Sequence, residues 1–493
     1  MDYATYRGCD AIDLADAHAR GEVDAATLLD LARCRLAEVD PALNAVCIAM
    51  DEIADARVGE PLSGAFSGVP FLVKDLIQDY AGVPTTAGSR ALRERCPAQH
   101  ADYTQRALDA GMVIFGKTAT PELGLKAVTE SVLWGATRNP WDTGRTPGGS
   151  SGGAAAAVAA GVVPMAGAND GGGSIRIPAS HCGLFGLRPS RGLVPTTPAT
   201  VEHWEGASSD GVVSRSVRDS ARMLDVLAGP GRGAPYHAAR PLDAYERLAA
   251  QLPGRLRIGW STRSPIGADV DPECVHAVER TAALLESLGH EVVEAEPPVD
   301  GMLVARAYFG LYFGQVAAAV DEAVAAGARE RQFERDTRTL AAIGRAISAG
   351  EYVRMRQRWT GIAQAAATFF DGHDLWLSPT VAAPPPRIGE LDQPPAVQAL
   401  QSVLLRLPAG RLLKSGRVVE QLAMEALART PFTQFANLTG LPAMSVPLHW
   451  TAQNLPIGSQ FTAPWGSEAT LLALATQLES AQPWFTRVPE AAA

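Results

Sequence analysis

A chain of 493 residues, 47% hydrophobic and 19% charged, has the composition of an ordinary globular protein and the length for two or three average domains or one large α/β unit. Its net charge of −10 argues against a nucleic-acid partner, and no Lys/Arg cluster contradicts this. Six cysteines without C-x-x-C spacing fit free thiols in a reducing cytoplasm, Met1-Asp2-Tyr3-Ala4 does not open a signal peptide, and no apolar run reaches the length a bilayer requires.

Residues 11–39 read as two amphipathic helices broken at Gly21, with Asp24 placed to cap the second. Leu28, Leu29, Ala32 and Leu36 give that helix its core-facing stripe. Residues 51–65 read as linker and helix end. Gly68-Val69-Pro70-Phe71-Leu72-Val73-Lys74-Asp75 is then an apolar strand ended by a lysine. Desolvation there lowers the pKa of an amine and frees it to accept a proton; the bland alternative is a surface lysine closing a strand. A helix over 102–110 stops at Gly111, and 112–116 forms a strand. Gly111 to Thr118 formally fits a phosphate-binding loop, but bulky strand formers fill its centre and Pro121 stands where a helix should begin. Trp134 and Trp141 flank the entry to the next stretch, packed there as structure or lining a substrate pocket.

That next stretch holds two serine-bearing glycine clusters, Gly148-Gly149-Ser150-Ser151-Gly152-Gly153 and Asp170-Gly171-Gly172-Gly173-Ser174. Between them Gly152 to Ala160 reads as a short helix closed by Gly161, and Val162 to Ala168 as a buried strand of small residues. The chain goes out and comes back, so Ser150 and Ser174 can end near each other. Gly171-Gly172-Gly173 can turn successive N–H groups toward one point, the demand of an oxyanion hole in acyl transfer. Ser174 directly after it can attack a carbonyl polarised there, given a base, and Lys74 is the best candidate. The G-x-S-x-G match at Gly148 lacks the strand that a hydrolase elbow needs before it. His181-Cys182, read on a strand, points its two side chains to opposite faces, as a packed pair would.

Downstream, Ser216 caps a helix striped with Val217, Ala221, Leu224 and Leu227 and ending at Gly229. Residues 229–240 form a Gly/Pro/Ala-rich loop. A strand over 256–260, a helix over 271–288 and a strand over 291–295 make a βαβ insert. Residues 302–370 are helical, 375–377 return to a strand, and 398–428 are helical with a basic patch at Arg411, Lys414 and Arg417.

The run from Gly148 to Gly153, then Asp170, then Gly172-Gly173-Ser174-Ile175-Arg176-Ile177-Pro178-Ala179, resembles the amidase signature family in order and spacing. Asn437-Leu438-Thr439-Gly440-Leu441-Pro442-Ala443 and Leu455 to Gln460 resemble its C-terminal pattern. The resemblance implies Ser174 as nucleophile, Ser150 as a bridging serine after a cis peptide bond, Lys74 as base, and the N–H groups of Gly171, Gly172, Gly173 and Ser174 as the oxyanion hole. It implies an α/β amidase signature fold, a mixed twisted central sheet covered by helices (α/β/α). The expected organisation is a single amidase domain over 1–493: N-terminal helices 1–60, catalytic core 61–230, βαβ insert and helical lid 255–372, and a C-terminal return 373–493. Gly171 and Asn169 depart from the pattern, which usually has a larger residue and Thr or Ser there; Gly171 is expected to widen the approach to the carbonyl. Within the family, Trp134 to Trp141, Asn169-Asp170 and Asp271 to Cys274 resemble the branch that cleaves nylon oligomers, with aryl acylamidases and urethane-cleaving amidases beside it.

The expected partner is a small-molecule amide or carbamate, with Trp134, Trp141 and Asn169 as candidate contacts. No metal, organic cofactor, nucleic acid or membrane is expected, and a homodimer is left open. A glutamine-hydrolysing subunit of a tRNA amidotransferase and a non-catalytic binding module on the same scaffold are the alternatives.

Overall fold

Every residue except 237, 395–396, 399–400, 402–420, 422–423 and 490–493 is described in the computed structural model of the chain. Three helices open it: α1 (Tyr3–Gly8), α2 (Ala11–Ala19) and α3 (Ala25–Leu43). Asp24 caps α3 through the Thr27 N–H at 2.7 Å, and Leu28, Leu29 and Ala32 are buried while Leu36 packs on the core at its edge. A strand β1 (Val46–Ala49), not foreseen in the sequence, precedes α4 (Asp51–Val58). Then come β2 (Pro70–Lys74), α5 (Asp102–Asp109), β3 (Val113–Thr118) and a two-residue hairpin, β4 (Glu130–Ser131) with β5 (Gly135–Ala136).

The glycine-rich stretch forms α6 (Gly152–Ala159), β6 (Met165–Asp170) and α7 (Arg176–Cys182). The strand starts just past Pro164, whose missing N–H keeps it outside the ladder. His181 and Cys182 lie on a helix rather than a strand, Pro178 being tolerated in its first turn. They are nonetheless buried as structure: burial pushes the His181 imidazole down to about 3, and Cys182 Sγ lies 3.5 Å from Pro147 O.

Strands β7 (Phe185–Arg188) and β8 (Ser209–Ser214) follow, then α8 (Val217–Leu227), capped by Ser216 as its sequence indicates, and α9 (Tyr245–Ala249). Next are β9 (Arg257–Trp260), α10 (Pro272–Ser287), β10 (Glu291–Glu294), α11 (Gly301–Ala325), α12 (Arg335–Ala346), α13 (Ala349–Phe370) and β11 (Leu375–Pro379). The chain ends through α14 (Gln434–Thr439), β12 (Ala443–Trp450), β13 (Pro456–Thr462) and α15 (Glu468–Ala481). The helix expected over 398–428, with Arg411, Lys414 and Arg417, falls largely outside the described residues.

An eight-stranded mixed sheet runs in the order β10-β9-β11-β13-β12-β7-β8-β6, and a three-stranded one in the order β1-β3-β2. The edges of the two sheets, β6 and β2, lie together, since Gln78 beyond β2 donates to Ala168 O on β6 at 3.1 Å. Helices α6, α7 and α10 form one group against the strands, and α8, α9 and α15 another. The β9-α10-β10 unit is not an appendage: its parallel strands extend the central sheet to its edge, β9 pairing with β11. Helix α11 corrects a second expectation, for its 25 residues and mean hydropathy of 1.3 are enough to cross a bilayer. Its most apolar window is 67% buried, with α12 and α13 packed on it, as in a core helix.

Candidate active site

Lys74 ends a strand whose five residues are all buried, so its four-carbon stem stays inside and its amine reaches the seam between β2 and β6. There Nζ donates to Ser150 Oγ at 2.7 Å, Ser151 Oγ at 2.9 Å and Asn169 Oδ1 at 2.8 Å. Burial pushes the amine down to about 7, and the charges of Asp210 and Asp170 only partly oppose it. The Gly149–Ser150 peptide is cis. Ser151 is tied to β6, its Oγ donating to Asn169 O at 3.2 Å and accepting the Asn169 N–H at 3.3 Å.

Ser174 stands at the turn from β6 into α7, and its carbonyl accepts the Ser151 N–H at 3.3 Å, so the two glycine clusters are joined by backbone. Its half-buried hydroxyl has no hydrogen-bond partner among the described residues and faces a cavity of about 70 Å³. Lys74 and Ser150 are therefore in contact, whereas the Ser174 hydroxyl is bonded to neither.

The glycine turn is held by a buried ion pair. Asp170 Oδ2 accepts from Arg176 Nε and its Oδ1 from Arg176 Nη2, both at 2.9 Å, with both side chains fully buried. Although burial works to raise it, the Arg176 guanidinium holds the Asp170 carboxyl well below the usual carboxylate range. Arg176 continues to Thr433 O, Gln460 Oε1 and Asn437 Oδ1, tying the turn to α14 and β13. Arg176→Met leaves Asp170 charged and unpaired, so it is expected to cost roughly 3–5 kcal/mol, seen as a lowered midpoint in urea unfolding. A midpoint equal to wild type would mean the pair contributes nothing.

One expected donor is corrected. The peptide between Gly172 and Gly173 is fixed at both ends: the Gly173 N–H donates to Asp170 Oδ1 at 2.7 Å, while Gly172 O accepts from Thr433 Oγ1 at 2.6 Å and Gln434 Nε2 at 3.1 Å. The Gly173 N–H is thus unavailable to an oxyanion. Those of Gly171, Gly172 and Ser174 meet no acceptor among the described residues. Gly173 must be glycine, since φ is +120° and a Cβ there would lie 2.5 Å from Thr433 Oγ1.

Neither tryptophan lines the cavity at Ser174. Trp141 Nε1 donates to Cys182 O at 2.9 Å and its ring tilts against Trp450; Trp134 Nε1 donates to Thr86 Oγ1 at 3.1 Å. Asn169 holds the amine of Lys74. The space beside Gly171 is not open, because the Trp204 ring stands 3.5 Å from where a Cβ would be. The walls are instead Tyr308, Phe309 and Tyr312 of α11, with Leu125, Leu427 and Gln434. The βαβ insert and the helices over 302–370 were both expected to wall the pocket; α11 lines the cavity at Ser174, while residues flanking the insert's strands line only the neighbouring one. Lys126 also lines the cavity and is paired with Asp336 at 3.0 Å. Among the described residues no group of three or more His, Cys, Asp or Glu is arranged to hold a metal ion.

Residues 28–472 match the amidase family profile. Over 499 aligned residues the chain is 36% identical to the 6-aminohexanoate-cyclic-dimer hydrolase of Pseudomonas sp. (strain NK87), covering 98% of this chain and 96% of that one. A solved 6-aminohexanoate cyclic dimer hydrolase in complex with its substrate superimposes with a TM-score of 0.89 at 34% identity, over 99% of this chain and 100% of that one. A bacterial aryl acylamidase of the amidase signature family superimposes with a TM-score of 0.83 at 25% identity, over 97% of each chain.

Proposed function

The chain belongs to the amidase signature family and is a hydrolase of amide carbon–nitrogen bonds, and from that premise we propose that it cleaves small uncharged amides through a covalent acyl-enzyme on Ser174. The observation that carries this is the desolvated Lys74 amine, 2.7 Å from Ser150 Oγ, beside the open Ser174 hydroxyl. Ser174 Oγ attacks the carbonyl carbon, its proton passing to Ser150 as the Ser150 proton passes to Lys74. Charge developing on the carbonyl oxygen is received by the N–H groups of Gly171, Gly172 and Ser174. When the C–N bond breaks, the departing nitrogen takes a proton back along the same relay. Water then attacks the acyl carbon by the same route, releasing the acid and restoring Ser174.

Ser150 and Ser151 both touch the amine, yet only Ser150 is free of other bonds. Ser150→Ala is expected to lower kcat/KM roughly a hundredfold, less than loss of the base, because a water in the vacated space can still connect Ser174 to Lys74. Ser151→Ala is expected to lose less. Steady-state rates on one amide decide it, and a more sensitive Ser151 reverses the two roles.

The cavity supports uncharged substrates: its walls are aromatic and aliphatic, and Lys126 is already paired. It shares Leu427 and Gln434 with a second cavity of about 220 Å³, so an extended chain can lie across both. We therefore place nylon oligomers and anilides among its substrates, with weaker cleavage of low-molecular-weight urethanes, which offer the same carbonyl to the turn. The six cysteines are free thiols, in keeping with a cytoplasmic enzyme. Purified protein tested on an anilide, a 6-aminohexanoate oligomer, a small carbamate and glutamine should favour the first two and act least on glutamine. Glutamine as the best substrate would overturn the assignment.

A further inference from the structure

Two neutral side chains hold Lys74, and one buried carboxylate binds the first and faces the second. Gln78 turns back along its own chain: its Oε1 accepts the Lys74 backbone N–H at 2.8 Å, and its Nε2 donates to Asp210 Oδ1 at 3.1 Å. The turn that brings it there runs through Ile77 at φ +55°, a left-handed conformation rare for a β-branched residue and sustained only where surroundings impose it. Asn169 accepts from Lys74 Nζ with its Oδ1 and donates to Leu76 O at 3.0 Å, and its side chain works to hold the Asp210 carboxyl down. The β6–β8 register sets Asn169 directly opposite Asp210. Asp210 is 2% exposed, and an amide would fill a purely structural place there without the desolvation cost of a charge.

We propose that Asp210 is a positioning residue for Lys74, holding the amine on Ser150 through Gln78 and Asn169 and supplying the counter-charge when the amine carries a proton. This rests on Lys74 being the base. The other charged and titratable groups around the pair are accounted for. Asp170 faces Lys74 and is bound to Arg176. His203 approaches Lys74 from the 199–207 loop, where burial and then the amine's charge push it down to about 4, leaving it neutral. Tyr103 of α5 faces Asp210, its hydroxyl donating to Gly211 O at 2.9 Å. Asp210 also lines a cavity of about 140 Å³ in which Asp79 and Arg95 pair with each other at 2.9 Å.

The test is kcat/KM against pH for wild type, Lys74→Met, Asp210→Asn and Asp210→Glu. Burial pushes the Asp210 carboxyl up to about 7, the range to which it pushes the Lys74 amine down, so the two titrate together; the carboxylate form of Asp210 raises the Lys74 pKa, and removing its charge should move the acid limb to lower pH, by about half a unit or more. The Asn variant can present an N–H where Gln78 needs an acceptor, so its high-pH plateau should fall about tenfold. Asp210→Glu keeps the charge: its midpoint should stay and only its plateau fall. An Asp210→Asn midpoint equal to wild type, whatever its plateau, leaves Asp210 a purely structural residue and overturns the proposal. An acid limb that survives at the wild-type midpoint in Lys74→Met overturns the base assignment instead, since Asp210 without the amine's charge would titrate higher. If Asp210→Asn does not fold, Gln78→Met cuts the bridge and keeps the charge; a lowered plateau at the wild-type midpoint supports the proposal, and a wild-type plateau overturns it.

Discussion

Ser174→Ala is expected to lower kcat by more than about 10⁴-fold while leaving the fold intact. The other hydroxyls that line the cavity, those of Tyr308, Tyr312 and Thr430, stand on segments apart from the glycine turn, and in the proposed mechanism Lys74 and Ser150 cannot act on a carbonyl without Ser174. Stability should stay within about 0.5 kcal/mol of wild type, since the lost hydroxyl has no partner and is not fully buried. The Gly171, Gly172 and Ser174 N–H groups are backbone and survive the substitution, so substrate affinity should change little. A fluorophosphonate should label wild type at one site and the variant not at all. Turnover near wild type in Ser174→Ala would remove the acyl-enzyme mechanism, and a labelled variant would move the nucleophile elsewhere.

The parts of this site that were readable in the sequence are those with a local signature. An apolar strand ended by lysine leaves a desolvated amine and a surface lysine both open, and Lys74 is buried, as the first of these requires. Asp24 and Ser216 mark helix starts because a cap bonds to an N–H only three residues on. The return of the chain between Ser150 and Ser174 follows from the lengths of one short helix and one strand. What could not be read depends on segments that meet only in three dimensions. The peptide beyond Gly172 is turned by Thr433 and Gln434, far along the chain, so glycine flexibility suggested one donor too many. Gly171 looked like open space because its neighbour there, Trp204, arrives from a separate loop. His181-Cys182 is read on a strand, yet Asp170 accepts the Ile175 N–H at 3.2 Å and α7 starts from that turn. The βαβ unit was recognised by its period but not by its place, since strand order in a sheet is set by pairing partners distant in sequence.

Replacing Lys74, the proposed base, should have the second largest effect. Lys74→Met keeps the length of the stem and removes the amine, and kcat/KM is expected to fall about 10³–10⁴-fold, within the range for a lost general base. In wild type the pH profile carries the sign. A protonated amine donates to Ser150, Ser151 and Asn169 together and can take nothing from Ser150. After losing one proton it keeps two N–H groups for Ser151 and Asn169 and turns its lone pair toward the Ser150 hydroxyl. Activity therefore belongs to the neutral form, and kcat/KM should rise with pH and level off. Burial places that rise near about 7, far below the ~10.4 of a lysine in water. The measurement is kcat/KM from about pH 5 to 10 on an amide that does not itself titrate, for wild type and for Lys74→Met. A rise centred near 10 would mean the amine is solvated in the working enzyme, and a profile flat across the range would mean that Lys74 is not the base.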